Sequence, residues 1–315
     1  MKSGLVSKAV WSLVGTGALA ISGLVQGIIL ARFLGPVGTG TVGYMVWSTS
    51  IVGLFFSLGL THSATKFVAE FGALDSAAGA NAGIYFVRRS AGLSLVAVLM
   101  HALTFRLWSV PGTATEWMLC SVYFALTQAS GIFSGVAYGL QHFRTMTEVC
   151  MIGAFLQLFG SLLLIPHFGI RGALAGMSLG MVPGAALALR MLLGRPTALP
   201  TSADISRIWK YTIPAWISAI LFSLAWSRTE VFFLERFRDA ATVAFFTTGL
   251  TLANLATQIP QMLMNALFPH FSGLAATDPK ALTNVTVTAV RLAAWAMVPV
   301  AVFAAAGAPI LITVV

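Results

Sequence analysis

Residues 1–31 read MKSGLVSKAVWSLVGTGALAISGLVQGIILA. A basic start followed by an apolar stretch is how a secretory signal peptide opens. Here the apolar run continues to residue 31, too long for a signal h-region, and we read it as a retained transmembrane helix. The rest of the chain follows the same rule. Only 9% of its 315 residues are charged, 58% are hydrophobic, and the mean hydropathy is +0.89. A soluble domain carries about 25% charged residues. Nine apolar spans reach or pass the roughly 20 residues needed to cross a bilayer: 9–31, 41–61, 84–107, 117–140, 148–167, 171–193, 212–234, 241–265 and 284–315. The ten-residue alternation of an outer-membrane barrel is absent. The expected fold class is an all-α polytopic membrane protein with about nine transmembrane helices.

Small residues recur at close spacing within these spans, as in GALAGMSLGMVPG (172–184). They let helices approach closely where no hydrophobic force drives association. Cys120 and Cys150 both fall in apolar spans and read as buried small hydrophobes, with no metal-ligand spacing or disulfide framework. The net charge of +9 is better explained by basic cytoplasmic loops than by nucleic acid, for which no motif is present. With the N-terminus in the cytoplasm, the inner ends hold twelve Lys and Arg residues and the outer ends six. The positive-inside rule favours that orientation.

The longest polar stretch, LLGRPTALPTSADISRIWKYTIP (192–214), separates six spans from three. It divides the chain into a six-helix bundle (1–194), a cytoplasmic linker (195–211) and the first three helices of a second bundle (212–315). Within the linker, SADISRIWKY (202–211) reads as a short amphipathic surface helix with Ser202 or Asp204 as N-cap. Offsetting the numbering by 204 places ARFLG (31–35) on ERFRD (235–239), TKF (65–67) on PHF (269–271), and Gln26 on Glu230. These matches share one register, as a parallel internal repeat would, and repeats of this kind are typical of secondary transporters.

IILARFLGPVGTGTVGY (28–44), followed by LGLTHSATKFVAEF (58–71), resembles the polysaccharide and oligosaccharide-lipid flippases of the multidrug/oligosaccharidyl-lipid/polysaccharide exporter (MOP) superfamily. IWKYTIPAWISAILFSLAWSRTEVFFLERF (208–237) resembles the opening of that family's second half. The resemblance implies two six-helix bundles around a central cavity, working by alternating access. The given sequence stops within its ninth span, at GAPILITVV (307–315), so helices ten to twelve are expected beyond it.

An ionisable residue inside a span is costly to bury unless solvated or paired, and is therefore a functional candidate. Arg228 lies about five residues past the middle of span seven, roughly 7–8 Å from the midplane. It is read either as a cation in the cavity wall or as an interface anchor that snorkels outward. Glu230 is about 200° round the helix from Arg228, so the two do not form an i, i+4 pair. A family acid commonly sits at its position, which implies substrate or ion coupling. His62 and Lys66 share a helical face at the inner end of span two, Arg88 and Arg89 begin span three, and Arg291 lies in span nine. Together they are candidates for a basic ring that meets a lipid-diphosphate headgroup, or for ordinary positive-inside residues binding anionic lipid. Gln26 in span one is a polar candidate for the cavity or for a bond across helices. The histidines at 101, 142 and 167 read as peripheral.

No catalytic arrangement emerges, and neither G-x-S-x-G, H-E-x-x-H nor a P-loop is present. No enzyme activity, catalytic residue, metal or cofactor is expected, and energy would come from a gradient. The resemblance implies flipping of a lipid-linked oligosaccharide (a polyprenyl-diphosphate glycan) across the bacterial plasma membrane. The partners are then membrane lipid, that substrate and a coupling ion, H+ or Na+; the oligomeric state is open. A multidrug or cation antiporter would want an acidic cavity. A membrane-embedded glycan polymerase or ligase would want a large outer loop. For the first the chain offers one candidate acid, Glu230, against a basic excess, and for the second its outer loops are short.

Overall fold

The computed structural model describes residues 2–107, 111–196, 200–226, 229–247 and 249–250, with scattered positions between 283 and 302. Among the described residues there are helices and the turns that join them, and no strand. Five helical stretches are long and apolar enough to cross a membrane. The protein is an all-α membrane protein.

α1 (Lys2–Phe56) holds the first two expected spans as two helical arms that meet at Gly35, whose φ of 66° and ψ of −176° are non-helical. Glycine adopts that conformation without the Cβ clash of other residues. Pro36 follows and has no N–H with which to continue the ladder. Leu30 and Val42 share a buried cluster with Ile165 and Ala173. In a straight helix they would stand about 18 Å apart, so the arms fold back on one another at a tight break.

The second arm bends again at Ser57–Gly59, where Leu58 (φ 45°) and Gly59 (φ 69°) are both left-handed, and continues as α2 (Leu60–Leu74). α3 (Ser76–Leu107), α4 (Ala114–Gly139), α5 (Phe143–Phe168) and α6 (Ile170–Leu193) then run up and down. Short turns join most of them, and Thr113 with Glu116 forms a capping box at the start of α4. α7 (Ser202–Trp226) and α8 (Thr229–Phe237) follow, then helical residues 240–247.

The segment 202–211 is the opening of α7 and runs on through Pro214, in place of the separate surface helix expected. Its first turn is closed by Thr201, whose hydroxyl accepts from Asp204 N–H (3.2 Å) while Thr201 N–H donates to the Asp204 carboxylate (3.2 Å). The Thr201 hydroxyl also donates to that carboxylate (2.6 Å), and these hydrogen bonds hold Asp204 below the usual carboxylate range. A break at Arg238–Asp239 ends α8, and Asp239 accepts from Thr242 N–H (2.7 Å) to start the next helix. The 204-residue offset puts this break over Gly35.

The bundle is closed by backbone contact along one face of α6. Gly172, Gly176, Gly180 and Gly184 recur every four residues and so line one face. A Cβ on Gly172 would collide with the Leu164 carbonyl of α5, and one on Gly184 with the Ser130 side chain of α4. At Gly176 the Ser161 backbone N and Cα lie 2.6 and 2.7 Å from where a Cβ would sit. Gly176→Ala is expected to lower the melting temperature of the detergent-solubilised protein, at a cost of about 1–3 kcal/mol. Gly17→Ala, in α1 where a Cβ meets nothing within 4 Å, is expected to leave it unchanged or slightly raised.

Candidate functional site

α7 and α8 lie antiparallel to α2 and the second arm of α1, and their contacts form a seam. The contacts run in register. Near the start of α7, Arg207 pairs with Glu70 at 2.9 Å and its guanidinium stands over Phe67 and Phe71, 5.6 Å from each ring. One turn on, the Lys66 ammonium sits 3.7 Å from the Tyr211 ring centroid. Ser63 and Thr212 then share a buried hydroxyl–hydroxyl hydrogen bond of 2.7 Å. Trp216 packs on Gly59 and donates its indole N–H to the Leu54 carbonyl at 2.9 Å. Farther along, Trp47 faces Phe232, and Gly40 and Gly43 meet Ala240 and Thr247.

Gly59 explains why the second span is broken here. A Cβ at this left-handed position would stand 3.2 Å from Trp216 Cβ and 3.5 Å from the Thr212 carbonyl, so a bare backbone lets α7 approach. The bend at Ser57–Gly59 also divides the span into two segments that can tilt separately at the seam. The Glu70–Arg207 pair is half exposed, 41% and 52%, and such pairs are worth about 0–1 kcal/mol. The seam's basic end is thus held by contacts that part cheaply.

A second polar feature lies within the first bundle. Gln26 is 4% exposed and Ser22, one turn earlier, is 3% exposed. Neither the amide oxygen nor the amide nitrogen of Gln26 has a hydrogen-bond partner. α5 runs parallel to the first arm of α1: Thr147 donates to the Trp11 carbonyl at 2.6 Å, and Ile165 shares a cluster with Leu30. That register brings Gln26 level with Ser161, which is fully buried and whose hydroxyl is also unpartnered. A buried amide without partners costs about 1–3 kcal/mol.

The residues singled out from the sequence are distributed as follows. His62 is exposed on α2, a turn before Lys66, which faces α7. Arg88 turns the other way and donates to the Gly194 carbonyl at 2.9 Å, just past α6. Arg89 lies 5.6 Å from the Tyr85 ring of its own helix. These four therefore divide between the seam and the opposite flank of the α2–α3 pair, and Arg207 joins Lys66 at the seam. Glu230 is exposed on α8, while the neighbouring Val231 is buried against Tyr44 and Met45. Arg291 occupies an exposed helical position. Arg228 lies outside the described residues.

Sequence reasoning missed His101. Read as peripheral, it is fully buried. Its two ring nitrogens meet Ser48 at 3.0 Å and Ser121 at 2.9 Å, and the ring lies against Trp117 and Phe124. It ties α1, α3 and α4 together. The signal available in the sequence was Trp117 and Ser121 at i, i+4, a polar site on one face of span four. Cys120 and Cys150 are buried, as expected.

Among solved structures, the fold is similar to an inward-facing multidrug resistance MATE family transporter of the MOP superfamily. The TM-score is 0.72 at 16% identity, over 96% of this chain and 75% of that one. The outward-facing conformation of such a transporter gives a TM-score of 0.66 at 17% identity, covering 98% of this chain and 72% of that one. A MOP superfamily transporter from Pyrococcus furiosus Vc1 (DSM3638), described as having a binding pocket of reverse polarity, gives 0.65 at 16% identity, covering 98% and 72%. No curated protein matches the chain in sequence. The sequence model of the family described as "Polysaccharide biosynthesis protein" matches residues 5–275, most of the length, and the chain belongs to that family.

Proposed function

We propose that this membrane transporter flips a lipid-linked oligosaccharide across the bacterial plasma membrane by alternating access, with its N-terminus in the cytoplasm. The observation that carries the reading is the charge of the seam's mouth, where Lys66 and Arg207 come together between the two halves. Residues 1–194 and 212–315 form those halves. A diphosphate headgroup entering from this end meets cations, and arginine suits bidentate phosphate contact. The family's description supports a polysaccharide pathway. Lys66, His62 and Arg207 receive the headgroup and Arg291 adds to the positive field around it, whereas Arg88 and Arg89, candidates for the same ring, are turned to the other flank. Arg228 and Glu230 act deeper in the cleft, where Glu230 is the candidate for coupling to H+ or Na+.

A second reading, a multidrug or cation antiporter, draws on the neighbours described as multidrug resistance transporters and on the exposed Glu230. Deleting the gene separates the two. Flipping predicts that undecaprenyl-linked glycan accumulates in the membrane while surface polysaccharide falls and drug susceptibility is unchanged. Normal export with raised drug susceptibility would support the antiporter.

Two variants probe the mechanism. Ser63→Cys with Thr212→Cys, cross-linked across the seam, is expected to reduce transport in proteoliposomes to background, with recovery on reduction. Full transport by the cross-linked protein would show that this seam does not open. Gln26→Leu removes a buried, unpartnered amide and is expected to hold or raise the melting temperature. If the Gln26 amide takes part in transport, the same variant lowers the transport rate about tenfold or more.

A further inference from the structure

The flank of the first bundle away from α7 carries a groove between α3, α4 and α6 with a volume of about 270 Å³. Its lining is almost wholly apolar. Small residues such as Ala91, Ala125 and Ala129 alternate with Leu95, Val98 and Leu189. Along α3 the groove runs from Val87 to Val98, about 16 Å at 1.5 Å per residue. That is close to half of the roughly 30 Å hydrocarbon core, the depth of one leaflet.

One end of this groove is strongly cationic. Arg88 and Arg89 directly precede the groove residue Ser90, Arg190 follows Leu189, and Arg195 lies just past Leu192. All four are exposed. Both ion pairs found among the described residues involve other arginines, Arg144 and Arg207. Arg88 is oriented by its hydrogen bond to the Gly194 carbonyl, which joins the two helix ends on either side of the groove. Asp75, the acid that precedes α3, is engaged in accepting from Ala77 and Ala78 N–H.

We propose that this groove holds one acyl chain of an anionic glycerophospholipid from the adjoining leaflet, with its phosphate against Arg89, Arg190 and Arg195. The single-leaflet depth fits a phospholipid tail. Chain and phosphate are recognised by different parts of the site, and the site stands apart from the seam. It is a resident-lipid site and does not depend on the transported substrate.

The test uses the full chain purified in detergent, titrated with phosphatidylglycerol and with phosphatidylethanolamine, and read by native mass spectrometry and melting temperature. Phosphatidylglycerol is expected to bind more tightly. Arg89→Gln with Arg190→Gln is expected to weaken phosphatidylglycerol binding about 25-fold, or about fivefold per arginine, and to leave phosphatidylethanolamine binding unchanged. Ala91→Phe, which fills the groove, is expected to weaken both lipids. Arg144→Gln, a basic residue elsewhere on the bundle, serves as control and is expected to change neither. An equal effect from Arg144→Gln would overturn the site in favour of diffuse surface charge. So would unaltered lipid binding in folded Ala91→Phe. Undecaprenyl phosphate displacing phosphatidylglycerol in proportion to Arg89 and Arg190 would assign the groove to the transported lipid, against the proposal. Loss of a dimer in Ala91→Phe with no change in lipid would assign it to a second copy, also against it.

Discussion

Hydrocarbon gives apolar helices no reason to prefer one another over lipid, so cohesion depends on how closely their backbones approach. In this protein one line of close approach follows the four glycines of α6, spaced every four residues from 172 to 184. Three of them place α6 against α5 and the fourth places it against α4. α5 in turn lies parallel to the first arm of α1, held by the Thr147 hydroxyl on the Trp11 carbonyl. The position of the first arm, and with it the buried Gln26, follows from that stack.

The seam with α7 and α8 is built differently. Many of its contacts are side chain to side chain (an ion pair, an ammonium on a tyrosine ring, two hydroxyls and tilted aromatics), beside the bare backbone of Gly40 and Gly59 against Ala240 and Trp216. Each side-chain contact is individually weak, because an exposed ion pair contributes about 0–1 kcal/mol and a hydrogen bond about 0.5–1.5 kcal/mol net. Polar groups at such a surface can exchange partners for water or substrate when it opens. The backbone of α6 against α5 has no such alternative.

The spans were legible because crossing hydrocarbon demands long apolar runs, and α4, α5 and α6 fall within a few residues of where the pattern placed them. The repeat register was legible too: Gly35 and Asp239, matched by the offset of 204, both stand at helix breaks. Side-chain direction was not legible. Arg88 and Lys66 read as one basic ring, yet one is turned to the end of α6 and the other to α7. Which way each faces depends on neighbours distant in the chain. His101 was misread for the same reason, since its partners Ser48 and Ser121 come from two other spans. The N-cap of α7 was placed one residue or more too late because Ser202 and Asp204 look as suitable as Thr201. Only the reciprocal bonds between Thr201 and Asp204 decide between them.

The repeat also carries an asymmetry with a physical reason. At matched positions the first half has Gln26 and the second has Glu230. Gln26 is enclosed and without partners, a state a neutral amide tolerates at a cost of a few kcal/mol. A carboxylate enclosed in the same way would have to bind a proton or find a cation, because an isolated buried charge costs far more. Glu230 is instead exposed on α8. The two halves thus share a backbone register but divide the electrostatics. Polarity without charge is enclosed in the packed first bundle at Gln26, and the charged residue at the matched position is exposed.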